Sequence, residues 1–239
     1  MKYSVSIVSH NSGRYLDALL MDLSESLPPH SEVILTINTP EDESYLKSSM
    51  GLQLTVIRNP APLGFGANHN QAFACSSGER FVIVNPDVRI KSAPWWALDR
   101  AFNSDTGACA PIILSPTGAI EDSVRGFPTV GRLLERVVLG TRRPDYIAPD
   151  NVTPVVVDWA AGMFVMFDSA SFRAVGGFDP SYFMYLEDAD ICRRLGTIGK
   201  RVLWVPSCSV VHNAQRASLR NWKHFSWHLR SVVRFIFRV

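Results

Sequence analysis

Along the first half of the chain, short apolar runs rich in β-branched residues alternate with stretches whose apolar positions recur every three or four residues. Val5, Ile7 and Val8 mark a first strand, and Tyr15 to Leu27 has the spacing of an amphipathic helix. Glu32 to Asn38 and Leu54 to Arg58 read as a second and third strand, Phe65 to Cys75 as a helix, and Phe81 to Val84 as a buried strand. Alternation at this spacing predicts βαβ units and a mostly parallel sheet, and so an α/β fold. Such sheets bind ligands beyond the carboxyl ends of their strands, which singles out the loops after Val8, Ile37, Arg58 and Val84.

The pattern loosens between Gly118 and Pro154, where Gly, Pro and Arg surround one predicted helix, Leu133 to Leu139. Beyond it, Val155 to Val157 and Met163 to Phe167 read as strands, and helices begin near Ser169 and Glu187. In the tail, Leu219, Trp222, Phe225, Leu229, Val232, Val233 and Ile236 fall at helical spacing, with Arg220, Lys223, Arg230, Arg234 and Arg238 between them. A basic amphipathic helix of this kind lies on a membrane surface. The same pattern also fits a helix packed on the body with a solvated basic face. No linker or composition break interrupts the chain. One unit is expected, with residues 1–218 as its main domain and 219–239 as a C-terminal helix belonging to it.

Charge sharpens this picture. The net charge of +2 conceals an acid-free tail: from Ile191 to Val239 there are ten Lys or Arg and no Asp or Glu. Such a tail faces something anionic, whether lipid, nucleic acid or a phosphorylated substrate. The four cysteines, Cys75, Cys109, Cys192 and Cys208, form no CxxC pair, which argues against a zinc ribbon or disulfide framework and fits a reducing cytosol. The best apolar run, Val155 to Phe167, is too short to span a bilayer and contains Asp158. The opening MKYSVSIVSH alternates like a strand and lacks a signal peptide's apolar stretch. Any membrane contact is expected to be peripheral.

Four places carry candidate chemistry. Asn85-Pro86-Asp87 follows a buried strand, where a carboxylate is well sited to hold Mg²⁺ or Mn²⁺ against a diphosphate; taken alone, the tripeptide reads as an Asn-Pro-Asp turn. Gly64-Phe65-Gly66-Ala67-Asn68 lies between a strand and a helix, suited either to cradling phosphate or to a tight loop with Asn68 as a cap. A dinucleotide fingerprint needs a third glycine at position 69, where His69 stands. Leu186-Glu187-Asp188-Ala189-Asp190 opens a helix. Acids in a first turn favour the helix dipole, and Asp190 can pair with Arg194. That account leaves out the aromatic approach Tyr182-Phe183-Met184-Tyr185, beside which a carboxylate would have a raised pKa and could act as a general base. His212 ends the strand-like Ser209-Val210-Val211. Alone it is an ordinary histidine; with Asp87 it makes a plausible Mn²⁺ pair.

In this order the motifs resemble the family 2 glycosyltransferases of the GT-A fold, a Rossmann-like nucleotide-diphospho-sugar transferase fold with a mostly parallel central sheet. The similar segments are VSIVSHNSG, NPAPLGFGANHNQAF, NPDV and GGFDPSYFMYLEDADICRRL, which together cover nearly the whole chain. VRGFP, VVVDWAAGMFVM and WHLRSVVRF resemble the rhamnosyltransferases of O-antigen and cell-wall assembly. These move rhamnose from dTDP-rhamnose to N-acetylglucosamine on a polyprenyl diphosphate, at the inner face of the bacterial plasma membrane. The resemblance implies that Asp188 is the catalytic base, that Asp87 and His212 hold Mg²⁺ or Mn²⁺, and that Trp159, Gly162 and Glu187 lie on the acceptor side. It also implies that Asn11, Asn38, Gly64, Gly66, Asn68 and Asp87 face the donor. One departure concerns the pair after the second strand. Many relatives have Asp-Asn there, and this chain has Ile37-Asn38, so base recognition falls to the backbone or to other groups.

Three other readings compete. A nucleotidyltransferase or a dinucleotide oxidoreductase would suit the βαβ units and the GxG, though the missing third glycine counts against the second. A non-catalytic module gripping nucleic acid would suit the tail, but the tail has no recognised nucleic-acid motif, and no nucleic-acid partner is expected. Neither class accounts for the order of Asp87, Asp188 and His212.

Overall fold

The computed structural model describes residues 2–131, 144–148, 152–213 and 222–237. The predicted helix Leu133 to Leu139 lies outside these residues, as do Leu219, Arg220 and Arg238. The strands are β1 (Tyr3–Ser9), β2 (Glu32–Ile37), β3 (Gln53–Arg58), β4 (Arg80–Val84), β5 (Val88–Arg89), β6 (Thr106–Leu114), β7 (Val124–Arg125), β8 (Val155–Val157), β9 (Trp159–Ala160), β10 (Phe164–Asp168) and β11 (Arg201–His212). The helices are α1 (Gly13–Ser26), α2 (Phe65–Ala74), α3 (Trp95–Arg100), α4 (Ser169–Ala174), α5 (Glu187–Thr197) and α6 (Trp222–Phe237).

One large sheet runs in the order β3-β2-β1-β4-β10-β6-β11-β5, with β8 also on β11. The pairs β3–β2, β2–β1, β1–β4 and β6–β11 are parallel, while β10, β5 and β8 run against their neighbours. The sheet is therefore mostly parallel, as the alternation of elements predicts.

Alternate residues of each strand feed the two faces. Val82 and Val84 join Leu16, Leu19, Leu23, Trp95 and Leu98 beneath α1 and α3. Phe81 and Ile83 join Ala72, Phe172, Ile191 and Leu195 beneath α2, α4 and α5. Both faces are thus covered by helices, which explains why the central strands read as unbroken apolar runs.

β6 has no counterpart among the predicted strands. It is built from Thr106-Gly107-Ala108-Cys109-Ala110-Pro111 followed by apolar residues, and its small, fully buried positions show no alternation. Pro111 lacks an N–H and sits deep in the sheet. Its partner β11 passes from Val205, opposite Pro111, to Ser209, opposite Ile112, so Pro206, Ser207 and Cys208 bulge out of register there. A proline is tolerated inside a sheet next to such a bulge.

Candidate active site

The chain leaves β4 through Asn85-Pro86-Asp87 and enters β5, whose Val88 pairs with His212 at the end of β11. This register delivers His212 to Asp87. Its Nε2 lies 3.4 Å from Asp87 Oδ1, and the Asn213 N–H donates to the Asp87 carbonyl at 2.9 Å. A turn is present here, with the Val88 N–H donating to the Asn85 carbonyl. Apart from the His212 ring, Asp87 Oδ1 is buried without a hydrogen-bond partner among the described residues. On the other side of the imidazole, Nδ1 lies 2.8 Å from Glu121 Oε2. Burial presses the His212 pKa down, but the bonds and charges of Asp87 and Glu121 more than reverse this and leave it raised. Glu121 holds the ring and leaves Nε2 facing Asp87, as an orienting carboxylate does for a metal-binding histidine.

Asp188 stands in the first turn of α5. Its Oδ2 accepts the Gly162 N–H at 3.2 Å and its Oδ1 accepts the Ala189 N–H at 2.9 Å. Burial raises its pKa, opposed by these two bonds and by the charge of Arg125. Glu187, only 5 % exposed, is pushed up well above the usual carboxylate range by burial and then by the neighbouring Asp188 charge. Its Oε2 has no partner among the described residues. Both carboxyls hold their protons more tightly than usual, Glu187 the more so, because the donors and the arginine act on Asp188. Asp190 is accounted for structurally. It pairs with Arg193 at 3.1 Å and with Arg194 at 2.7 Å, and Arg194 also donates to the Val175 and Gly177 carbonyls.

The two centres share one edge of the sheet. The Asn85 N–H donates to the Met163 carbonyl at 2.9 Å, and the next residue back, Gly162, holds Asp188. Trp159 is buried in β9, opposite Arg125 of β7, with its Nε1 donating to the Gly126 carbonyl at 3.1 Å. The Arg125 guanidinium lies over the Trp159 ring, 5.5 Å from its centroid.

The residues expected to face the donor gather at the ends of β1, β2 and β3. Asn11 is exposed just after β1 in a left-handed conformation, φ 57°. The Asn38 amide donates to the Leu63 carbonyl, accepts from the Leu63 N–H and from Asn59, and lies 3.1 Å from His10 Nδ1. Asn68 donates to the Leu63 and Gly64 carbonyls and accepts from Asn59. Both side chains are thus committed to holding the 59–64 loop. The N-cap position of α2 is Gly64, with no side-chain cap, so Asn68 works within the helix.

A Cβ on Gly64 would come 2.5 Å from the Phe183 carbonyl oxygen, and one on Gly66 would come 2.6 Å from Phe178 Cβ. The first α2 N–H, that of Phe65, donates to that same Phe183 carbonyl at 3.0 Å. One on Gly162 would meet the Phe65 ring at 2.8 Å. These glycines let the 59–64 loop and the start of α2, the aromatic segment and the Asp188 turn touch one another. His69 lies buried against β1, 2.8 Å from Ser6 Oγ, with its pKa pressed down to about 3 by burial. A neutral ring fills the helix–strand gap that the third glycine of a dinucleotide site would keep closed.

Sequence reasoning missed Glu121, Arg125, Asn59 and Asn70. Asn70 grips both backbone groups of Phe178, donating to its carbonyl at 2.7 Å and accepting its N–H at 2.8 Å. It also missed the backbone at Tyr185 and Leu186, where φ is 74° and 63° in two consecutive non-glycine residues directly before the carboxylates. Such strain costs on the order of 1–3 kcal/mol per residue and persists only where the surroundings enforce it. α6 supplies the enforcement. Tyr185 Oη bonds His224 Nδ1 at 2.8 Å, Ser231 Oγ donates to the Met184 carbonyl at 2.9 Å, and the Phe183 and Trp227 rings stand 4.8 Å apart.

The sequence profile of Glycosyl transferase family 2 matches residues 4–97. The whole chain decides the matter, being 30 % identical over 249 residues to Rhamnosyltransferase WbbL of Escherichia coli (strain K12), with 98 % of this chain and 92 % of that protein covered. The chain is a family 2 glycosyltransferase. It is also 29 % identical over 254 residues to the N-acetylglucosaminyl-diphospho-decaprenol L-rhamnosyltransferase of Mycobacterium tuberculosis (strain CDC 1551 / Oshkosh), covering 97 % of this chain and 83 % of that one. In fold, this glycosyltransferase matches the crystal structure of GalNAc-T7 with UDP, GalNAc and Mn²⁺, with a TM-score of 0.72 at 18 % identity. The match covers 98 % of this chain and about half, 47 %, of that chain. The architecture is the GT-A fold, and the competing oxidoreductase and binding-module readings give way to a transferase.

Proposed function

We propose that this glycosyltransferase moves L-rhamnose from dTDP-β-L-rhamnose to a hydroxyl of N-acetylglucosamine carried on a polyprenyl diphosphate, with inversion. The observation that carries the reading is the half-buried Asp188, held by the Gly162 N–H on the same sheet edge as the Asp87–His212 pair. The names of the two rhamnosyltransferase relatives support the sugar and the acceptor.

Asp188 takes the proton of the acceptor hydroxyl, whose oxygen attacks the anomeric carbon from the face opposite the nucleotide. The bond from that carbon to the diphosphate oxygen breaks, and the nucleoside diphosphate leaves with the electron pair. One displacement inverts the centre, so a β-linked donor gives an α-linked product. The raised proton affinity of Asp188 suits it to this task, and protonated Glu187 keeps a second negative charge away from it. Arg125 and Trp159 wall the acceptor side.

The otherwise unpartnered Asp87 Oδ1 and the adjacent His212 Nε2 are a donor set that fits a divalent cation. These two residues would hold Mg²⁺ or Mn²⁺, whose positive charge offsets that of the leaving diphosphate. Asn38 and Asn68 position the donor loop, Gly64 and Gly66 permit its close approach, and Asn11 borders it. No helix among the described residues is long and apolar enough to cross a membrane. In this reading the protein sits peripherally at the inner face of the plasma membrane, through basic α6.

Thermal shift with a panel of nucleoside diphosphates, with and without Mn²⁺ or Mg²⁺, tests the donor. A ligand bound only by the folded state at roughly a hundred times its Kd adds about 2.7 kcal/mol of stability. dTDP should stabilise the chain only with metal, and Asp87→Ala should lose the effect. Preference for UDP or GDP would keep the transferase and change the sugar. Silence toward every nucleotide would overturn the donor site.

A further inference from the structure

A cavity bordered by the described residues lies outside the site above. It is a groove of about 670 Å³ between α6 and the aromatic segment that precedes Asp188. Its apolar lining comes from Phe183, Trp227, Leu229 and Val233, and its charged lining from Arg230 and Arg234. Leu229 is 53 % exposed and Val233 46 % exposed, so the apolar wall opens to the surface. Arg234 is shared with Asp179 at 3.4 Å and stands over the Tyr182 ring. Arg230 makes no ion pair among the described residues.

Two guanidinium groups beside an aromatic and aliphatic wall suit an amphiphilic anion. Arginine binds phosphate through a fork of donors, and the Asp179 carboxylate beside the groove is paired with Arg234. Position narrows the ligand further. The Phe183 ring forms part of the groove, its carbonyl receives the Phe65 N–H of the donor loop, and Asp188 follows five residues later.

Resting on the proposed function, we infer that this groove seats the diphosphate and first prenyl units of the lipid-linked acceptor. Arg230 and Arg234 take the diphosphate, and Trp227, Leu229 and Val233 take the hydrocarbon. The ligand class is a prenyl diphosphate, recognised by head and chain together, and the bulk anionic lipid of a membrane is the alternative that the test separates.

Titration of the full chain with farnesyl diphosphate, with dTDP and Mn²⁺ present to fill the donor site, tests this directly. Binding should be saturable, at least tenfold weaker for farnesol, and at least tenfold weaker in Arg230→Gln and in Leu229→Gln. The thermal shift given by dTDP should be unchanged in both variants, which establishes that each is folded and that the donor site is intact. Binding of Arg230→Gln to phosphatidylglycerol vesicles should fall by much less than its binding to farnesyl diphosphate. Farnesyl diphosphate binding that is the same in both variants as in the parent chain would overturn the inference. So would farnesol binding as tightly as the diphosphate, or vesicle binding falling as far as farnesyl diphosphate binding. A dTDP shift in the parent chain beside any of these results would leave the transferase reading standing while the groove assignment fell.

Discussion

Asp188 and Glu187 are adjacent in sequence and unequal in surroundings. Two backbone N–H groups and the Arg125 charge act on Asp188, whereas Glu187 has burial and a negative neighbour. Replacing Asp188 by Asn removes the base and little else, so transfer should fall by about 10²–10⁴-fold while the dTDP thermal shift survives; near-normal turnover would remove Asp188 from the mechanism. Because its pKa is raised, the acidic limb of the rate profile should lie above the ordinary aspartate range. Glu187 carries a stability consequence. A carboxyl whose folded pKa is raised binds its proton more tightly folded than unfolded, so its contribution is full at low pH and is lost as pH rises through the folded value. Glu187→Gln removes that loss. The melting temperature of the variant relative to the parent should increase from pH 5 to pH 8, and a constant difference would contradict the assignment of the proton to Glu187. At this scale the sequence disclosed residue types but few roles. The meeting of Asp87 with His212 was legible, because one follows β4 and the other ends β11. Glu121 was not, since it lies 91 residues from His212 and meets it only through the fold. Asn38 and Asn68 were legible as positions, while the hydrogen bonds they make to the 59–64 loop were not.

Elements that depend on local pattern were legible: α1, α2 and the strands β1 to β4 begin and end within a few residues of their predicted limits, and α5 begins at Glu187 as expected. β6 was not, because a buried strand of Gly, Ala, Cys and Pro has neither alternation nor β-branched enrichment until its end. Its identity depends on β10 and β11 on either side and on the bulge that accommodates Pro111. The two-residue strands β7 and β9 are likewise set by partners, although they bring Arg125 to Trp159. The glycine loop belongs to this scale too. Gly64→Ala places a methyl group against the backbone of Phe183, which cannot swing aside as a flexible side chain would. The cost should be about 1–3 kcal/mol, as for other overpacked sites, read as a lowered denaturation midpoint. The dTDP shift should weaken with it, because the same contact sets the donor loop. An unchanged midpoint would show that the aromatic segment yields more readily than its hydrogen bonds suggest.

Across the whole molecule, the helix that carries the exposed apolar and basic face also splints the turn before Asp188. Trp222, Phe225, Leu229 and Phe237 are exposed on α6, and its Phe235 is buried and its carbonyl accepts from Arg193 of α5. The periodicity of the tail made the helix legible. Its contacts with Met184, Tyr185 and Phe183 were not, since nothing in a heptad-like pattern names the partner of its inner side. In the proposed reading, α6 lies with one side on the bilayer and the other on the turn before Asp188, which ties chemistry to a two-dimensional phase. Both enzyme and acceptor are then counted per area of lipid and not per volume of buffer. Turnover of a vesicle-borne acceptor should therefore fall when inert lipid is added at fixed enzyme and fixed total acceptor, and high salt should release the enzyme from anionic vesicles. A rate indifferent to that surface dilution would mean that the acceptor is drawn from solution. If it is not indifferent, the quantity that governs flux is how crowded the acceptor is on its own membrane.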